Sequence, residues 1–98
     1  MNVLFVCSMA RLRSRTASTC FPGTSDYAGT DADADKPITK ALTDWADKIV
    51  CMETRHRSKV RRKFKGLSHK IEVWSIPDDY GFLDKDLVTI LERKFESL

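Results

Sequence analysis

Along this chain, short unbroken apolar runs alternate with longer stretches whose apolar residues recur at helical spacing. Val3, Leu4, Phe5 and Val6 fall within a β-branched and aromatic run over residues 1–6, the pattern of a strand buried on both faces, as in a parallel sheet. Residues 14–20 predict a helix of modest propensity, because Ser and Thr compete for its backbone hydrogen bonds, and Phe21-Pro22-Gly23 ends it. Ile38, Ala41, Leu42 and Trp45 repeat at i, i+3, i+4 and i+7, a core-facing stripe of a helix whose first turn accepts Pro37. Residues 48–52 read as a further strand. Residues 54–64 read as a helix with His56, Val60 and Phe64 on one face and cations around the rest. Residues 71–76 form a last strand, stopped by Pro77. Asp84 caps a closing helix that carries Leu87, Ile90, Leu91 and Phe95, with Leu83 and Val88 at the spacing of a hydrophobic staple. Strands alternating with helices imply right-handed crossovers and an α/β fold: a parallel sheet between two helical layers.

Ninety-eight residues, 42% of them hydrophobic, suit one domain over residues 1–98 with one modest core. The formal charge is only +3, but its distribution is uneven: residues 53–65 hold seven cations and one anion, leaving the rest of the chain net acidic. Cys7, Cys20 and Cys51 form no CxxC pair and no metal spacing, and no charged-then-apolar leader precedes Val3, so a reducing, cytoplasmic setting is expected. Cys20 and Cys51 read as packing residues. Asp31, Asp33 and Asp35 alternate like the start of a calcium loop, but Pro37 follows where such a loop needs its Gly and later Glu, so no metal and no cofactor is expected. His56 and His69 lack a second ligand at metal spacing and read as ordinary surface or half-buried residues.

The chemistry concentrates where the first strand ends. Cys7 closes an apolar strand, Arg13 follows six residues later, and Ser14 begins a helix. A loop this tight turns its backbone N–H groups inward as an anion nest at a helix N-terminus, which a guanidinium can close with two parallel hydrogen bonds. Such an electropositive site favours the thiolate, the nucleophilic form of cysteine, and Ser14 is placed to donate a hydrogen bond to its sulfur. The carboxyl end of a strand is also where open α/β sheets place ligands. Asp78, Asp79 and Tyr80, after the last strand, should lie on the same edge.

These residues resemble the low-molecular-weight protein tyrosine phosphatases, whose chains open with an apolar strand and a phosphate-binding P-loop of pattern C-x5-R-S, matched by Cys7, Arg13 and Ser14. Asp26-Tyr27-Ala28-Gly29-Thr30 is similar to that family's second strand, residues 46–53 to its third, and Ile76-Pro77-Asp78-Asp79-Tyr80 to its late loop. The resemblance implies a four-stranded sheet of order 2-1-3-4 and phosphomonoester hydrolysis through a phosphocysteine intermediate. It implies Cys7 as nucleophile, Arg13 as phosphate clamp and Asp78 as general acid. Ser8, Met9, Ala10, Arg11, Leu12 and Ser14 would form the substrate-binding loop, with Tyr80 walling the site and Asp79 beside it. Adjacent carboxylates leave Asp79 as the alternative acid. The substrate would be a phosphorylated protein or a small phosphomonoester.

The chain departs from the family pattern at several places. Met9-Ala10 stands where the family reads Gly-Asn, Leu12 where it has a second cysteine, Arg15 where Pro follows Arg-Ser, and Asp79 where Pro follows the acid. The chain is also shorter than typical members. Arg11 occupies the loop's selectivity position and points to anionic substrates. A binding module for phosphate or phosphoproteins, with little activity, is the alternative reading. Nucleic-acid binding by residues 55–65 is less favoured, because only Phe64 interleaves the cations. A thiol-based arsenate reductase would need reactive cysteines nearer the loop.

Overall fold

β1 (Asn2–Cys7) runs through the middle of the molecule, flanked on one side by β2 (Thr24–Gly29) and on the other by β3 (Lys48–Cys51), beyond which lies β4 (Ile71–Val73). All neighbours are parallel and the order is β2-β1-β3-β4, as expected. The computed structural model describes residues 1–98. Helices α1 (Arg13–Cys20), α2 (Lys40–Trp45), α3 (Thr54–Lys63) and α4 (Lys85–Phe95) connect or follow the strands.

The period-two geometry of a strand explains why β1 tolerates no polar residue between Val3 and Val6. Val3, Phe5 and Cys7 face one side with Val50 and Met52, under Ala17 of α1 and Leu87 and Leu91 of α4. Leu4 and Val6 face the other with Ile49 and Cys51, under Val60 of α3. The central strand is therefore covered on both faces, and the three layers follow. Phe5 anchors an aromatic cluster, with ring centroids 5.7 Å from Phe21, 5.7 Å from Trp74 and 5.9 Å from Phe95. This packing holds α1, whose Ser- and Thr-rich sequence is a poor helix former.

Two expectations need correction. The helix expected to include Pro37 begins only at Lys40, because the preceding segment is drawn alongside β2: Gly29 N–H donates to Lys36 O, Ile38 N–H donates to Gly29 O, and Thr39 Oγ1 caps the helix. Ile38 is buried from this extended segment, and Ala41 is exposed. The last strand ends at Val73 and not at residue 76, because Ser75 takes φ 55°, although Trp74 and Ile76 still donate to Cys51 O and Met52 O. Asp84 does cap α4, its carboxylate accepting from the N–H groups of Asp86 and Leu87.

Gly29 ends β2 against the loop that follows β1. A Cβ there would lie 2.4 Å from Ser8 O and 3.0 Å from Ala10 N, so only glycine permits this approach.

Candidate active site

The loop over residues 8–12 leaves the carboxyl edge of the sheet, and its peptide groups are oriented by the neighbouring segment. Thr30 N–H donates to Cys7 O at 2.9 Å, Asp31 N–H to Ser8 O at 3.1 Å and Asp35 N–H to Met9 O at 2.9 Å. In a trans peptide the C=O and the following N–H point in opposite directions. Tying three carbonyls to that segment thus turns the N–H groups of Ser8, Met9 and Ala10 away from it, and Ser8 and Met9 line the recess on the inner side of the loop. Ala10 completes the turn with φ 60°, a left-handed conformation that costs a non-glycine residue about 1–2 kcal/mol. Its methyl group is buried and offers no polar brace to the loop.

That recess, about 170 Å³, is lined by Cys7, Ser8, Met9, Arg11, Leu12, Arg13 and Asp78. Cys7, only 4% exposed, has its Sγ 3.0 Å from Ser14 Oγ, so the serine at the start of α1 reaches the sulfur as the motif suggested. Arg13 is 2% exposed, and its Nη1 donates to Glu53 Oε2 at 2.5 Å and to Ile76 O at 2.7 Å. Its Nε lies 3.7 Å from Asp78 Oδ1. The guanidinium is therefore fixed from the ends of two further strands, Glu53 following β3 and Ile76 following β4. A cation held this rigidly loses little entropy when it takes up an oxyanion.

Other expected site residues fall differently. Arg11 lines the recess, but its Nε is shared between both Asp35 carboxylate oxygens at 3.1 Å, which offsets part of its charge. Asp79 is exposed and stands outside the lining, while Tyr80 packs half-buried against the core beneath α1 and α4. The cations Arg61, Arg62 and Lys65 border a separate groove near the end of α3, with no carboxylate within ion-pair distance. Cys51 is fully buried, and burial pushes its thiol up to about 12. Cys20 is also raised, first by burial and then by Glu92, so the thiolate form is disfavoured at both positions.

His56 is a residue of the site that the sequence reading set aside. It is completely buried on the first turn of α3, with Nε2 2.9 Å from Ser8 Oγ and Nδ1 accepting the Glu53 N–H at 3.0 Å. The signal was present: Glu53 and His56 are at N-cap and N3 spacing, directly after a strand that ends on the edge carrying Cys7. Burial lowers the imidazole pKa to about 4, aided by Arg13, Arg55 and Lys59 and opposed by Glu53. Side-chain hydrogen bonds from Arg55 and Arg13 hold the Glu53 carboxyl at about 2.

Both shifts have the same sign. Each folded-state pKa lies below its ordinary value, so the unfolded chain binds more protons and stability falls as pH falls. His56 should contribute stability that is complete above about 6.5 and lost toward about 4, with the Glu53 contribution lost between about 4.5 and about 2. Urea unfolding of the wild type should therefore show stability declining between pH 6.5 and 4, and His56→Gln should flatten that interval. An equal slope in both proteins would contradict the assignment.

No protein-family model and no curated protein matches the sequence. Solved structures do. The low-molecular-weight protein tyrosine phosphatase from T. tengcongensis superposes with a TM-score of 0.80 at 18% identity, over 100% of this chain and 99% of that one. The YwlE arginine phosphatase from Geobacillus stearothermophilus gives 0.79 at 19%, over 98% and 91%. The tyrosine phosphatase Wzb from Escherichia coli K30, solved in complex with phosphate, gives 0.72 at 20%, over 98% and 94%. The chain thus has the fold of the low-molecular-weight protein tyrosine phosphatases along its whole length.

Proposed function

We propose that this protein is a cysteine-dependent phosphatase that hydrolyses phosphomonoesters through a phosphocysteine intermediate. One observation carries the reading: Cys7 Sγ, the inward N–H groups of its loop and the immobilised Arg13 converge on one small recess, with Asp78 at its rim. The fold it shares with tyrosine and arginine phosphatases supports the same chemistry.

In the first step Cys7 Sγ attacks phosphorus, the ester P–O bond breaks, and Asp78 gives its proton to the departing oxygen. Arg13 and the loop N–H groups stabilise the charge on the equatorial oxygens, so the reaction calls for no metal. In the second step water, deprotonated by Asp78, attacks the phosphocysteine and breaks the S–P bond. Ser14, 3.0 Å from the sulfur, donates a hydrogen bond to the departing thiolate, and inorganic phosphate leaves the recess. Because Cys7 must be a free thiol at each turnover, the reading also carries a reducing compartment such as the cytoplasm. No helix is long and apolar enough to cross a membrane.

The purified chain should release phosphate from an aryl phosphate, with competitive inhibition by orthophosphate and a rate unchanged by a chelator. Orthophosphate binding without any hydrolysis would instead support the binding-module reading. That alternative draws on the position of the Asp78 carboxylate, which is 58% exposed and turned to Arg13.

A further inference from the structure

The bond between Ser8 and His56 has a direction that the rest of the site fixes. Nδ1 of His56 accepts the Glu53 N–H, so that nitrogen carries no proton. The proton of the neutral ring is then on Nε2, which donates to Ser8 Oγ across 2.9 Å. A hydroxyl that accepts from an imidazole keeps its own O–H to give elsewhere. No protein acceptor takes it, and Ser8 lines the recess between Cys7 and Arg13.

We propose that the Ser8 hydroxyl is a side-chain donor to a phosphoryl oxygen of the bound oxyanion, and that His56 is the positioning residue that aims it. The proposal builds on the phosphatase reading by assigning one more ligand to its phosphate. It also accounts for how the loop keeps its shape with an apolar residue at Ala10. The brace enters from α3 through residue 8, and Glu53 supports both halves of the cup: its carboxylate holds Arg13, and its backbone N–H sets the tautomer of His56. Neither contact is local, since Ser8 and His56 are 48 positions apart.

The test is orthophosphate binding by titration calorimetry, run beside aryl phosphate hydrolysis, for the wild type, Ser8→Ala, Ser8→Thr, His56→Gln, His56→Leu and the Ser8→Ala, His56→Leu double variant. Losing one hydrogen bond to a charged oxyanion should weaken phosphate binding in Ser8→Ala roughly 10- to 100-fold. Ser8→Thr, which keeps the hydroxyl, should stay within a few-fold of wild type, and His56→Gln, which keeps a donor, should fall between. Because His56 acts through Ser8, the double variant should bind phosphate no more weakly than Ser8→Ala alone. Should His56→Leu fail to fold, the Ser8 pair and His56→Gln still decide the matter.

Wild-type affinity in Ser8→Ala, or additive losses in the double variant, would overturn the proposal while leaving the phosphatase reading intact if the wild type turns over. A wild type that binds phosphate, loses it in Ser8→Ala and hydrolyses nothing would overturn the phosphatase reading and keep this one. A wild type that binds no phosphate overturns both.

Discussion

Cys7→Ser should reduce aryl phosphate hydrolysis to the uncatalysed background, a loss on the order of 10⁵-fold or more, as when a nucleophile is removed from a covalent mechanism. The physical reason is that no base is free to activate a hydroxyl at residue 7, because the proposed mechanism keeps Asp78 protonated until the leaving oxygen has taken its proton. The nearest side-chain partner is Ser14 Oγ, itself a hydroxyl, and the one imidazole nearby has Nε2 occupied by Ser8 and Nδ1 by Glu53. A thiol needs no such base, because thiols as a class are far more acidic than aliphatic hydroxyls and more nucleophilic once ionised. The recess itself should survive the exchange, so orthophosphate should bind Cys7→Ser within a few-fold of wild type. Substantial turnover by this variant would mean that another group attacks phosphorus, and loss of phosphate binding would mean that the sulfur builds the cup.

The second large effect is on the leaving group. Asp78 lies on the rim of the recess, and its carboxylate is 3.7 Å from Arg13 Nε; Asp79 is exposed and outside the lining. Asp78→Asn should slow hydrolysis of an alkyl phosphate about 10²–10⁴-fold, the usual range for a lost general acid. The effect should shrink for an activated aryl ester, whose oxygen leaves without a proton. Asp79→Asn should act only through its charge, and weakly. A plot of rate against leaving-group pKa for the two variants measures this. The reverse ranking would make Asp79 the acid, and unchanged slopes in both would remove the late loop from the chemistry.

Much of this was legible in the sequence, for local reasons. The apolar run ending in Cys7 announced both a doubly buried strand and a thiol at the carboxyl edge of the sheet, and the cap at Asp84 announced α4. The strand order came from the resemblance, since alternation alone leaves it open, and the structure bears it out. What escaped were features created by contacts distant in sequence. Glu53 lay at the end of the stretch similar to the family's third strand with no role assigned to it, yet it holds Arg13 from 40 positions away. His56 read as one polar residue on a basic helix, and only the packing of α3 beside the loop makes it a partner of Ser8. Pro37 suggested the start of a helix because its fixed φ suits a first turn, but bonding to Gly29 claimed that segment first. Tyr80 was expected to wall the site, but its ring packs half-buried against the core and it is not among the residues lining the recess.

The central claim is a covalent phosphocysteine at Cys7, and the stereochemistry of phosphoryl transfer tests it most directly. An aryl phosphate made chiral at phosphorus by oxygen isotopes can be turned over with an alcohol as acceptor and the configuration of the product read by NMR. Attack by Cys7 followed by attack of the acceptor amounts to two in-line displacements, each inverting phosphorus, so the account predicts net retention. Net inversion would mean a single direct displacement, and would contradict it.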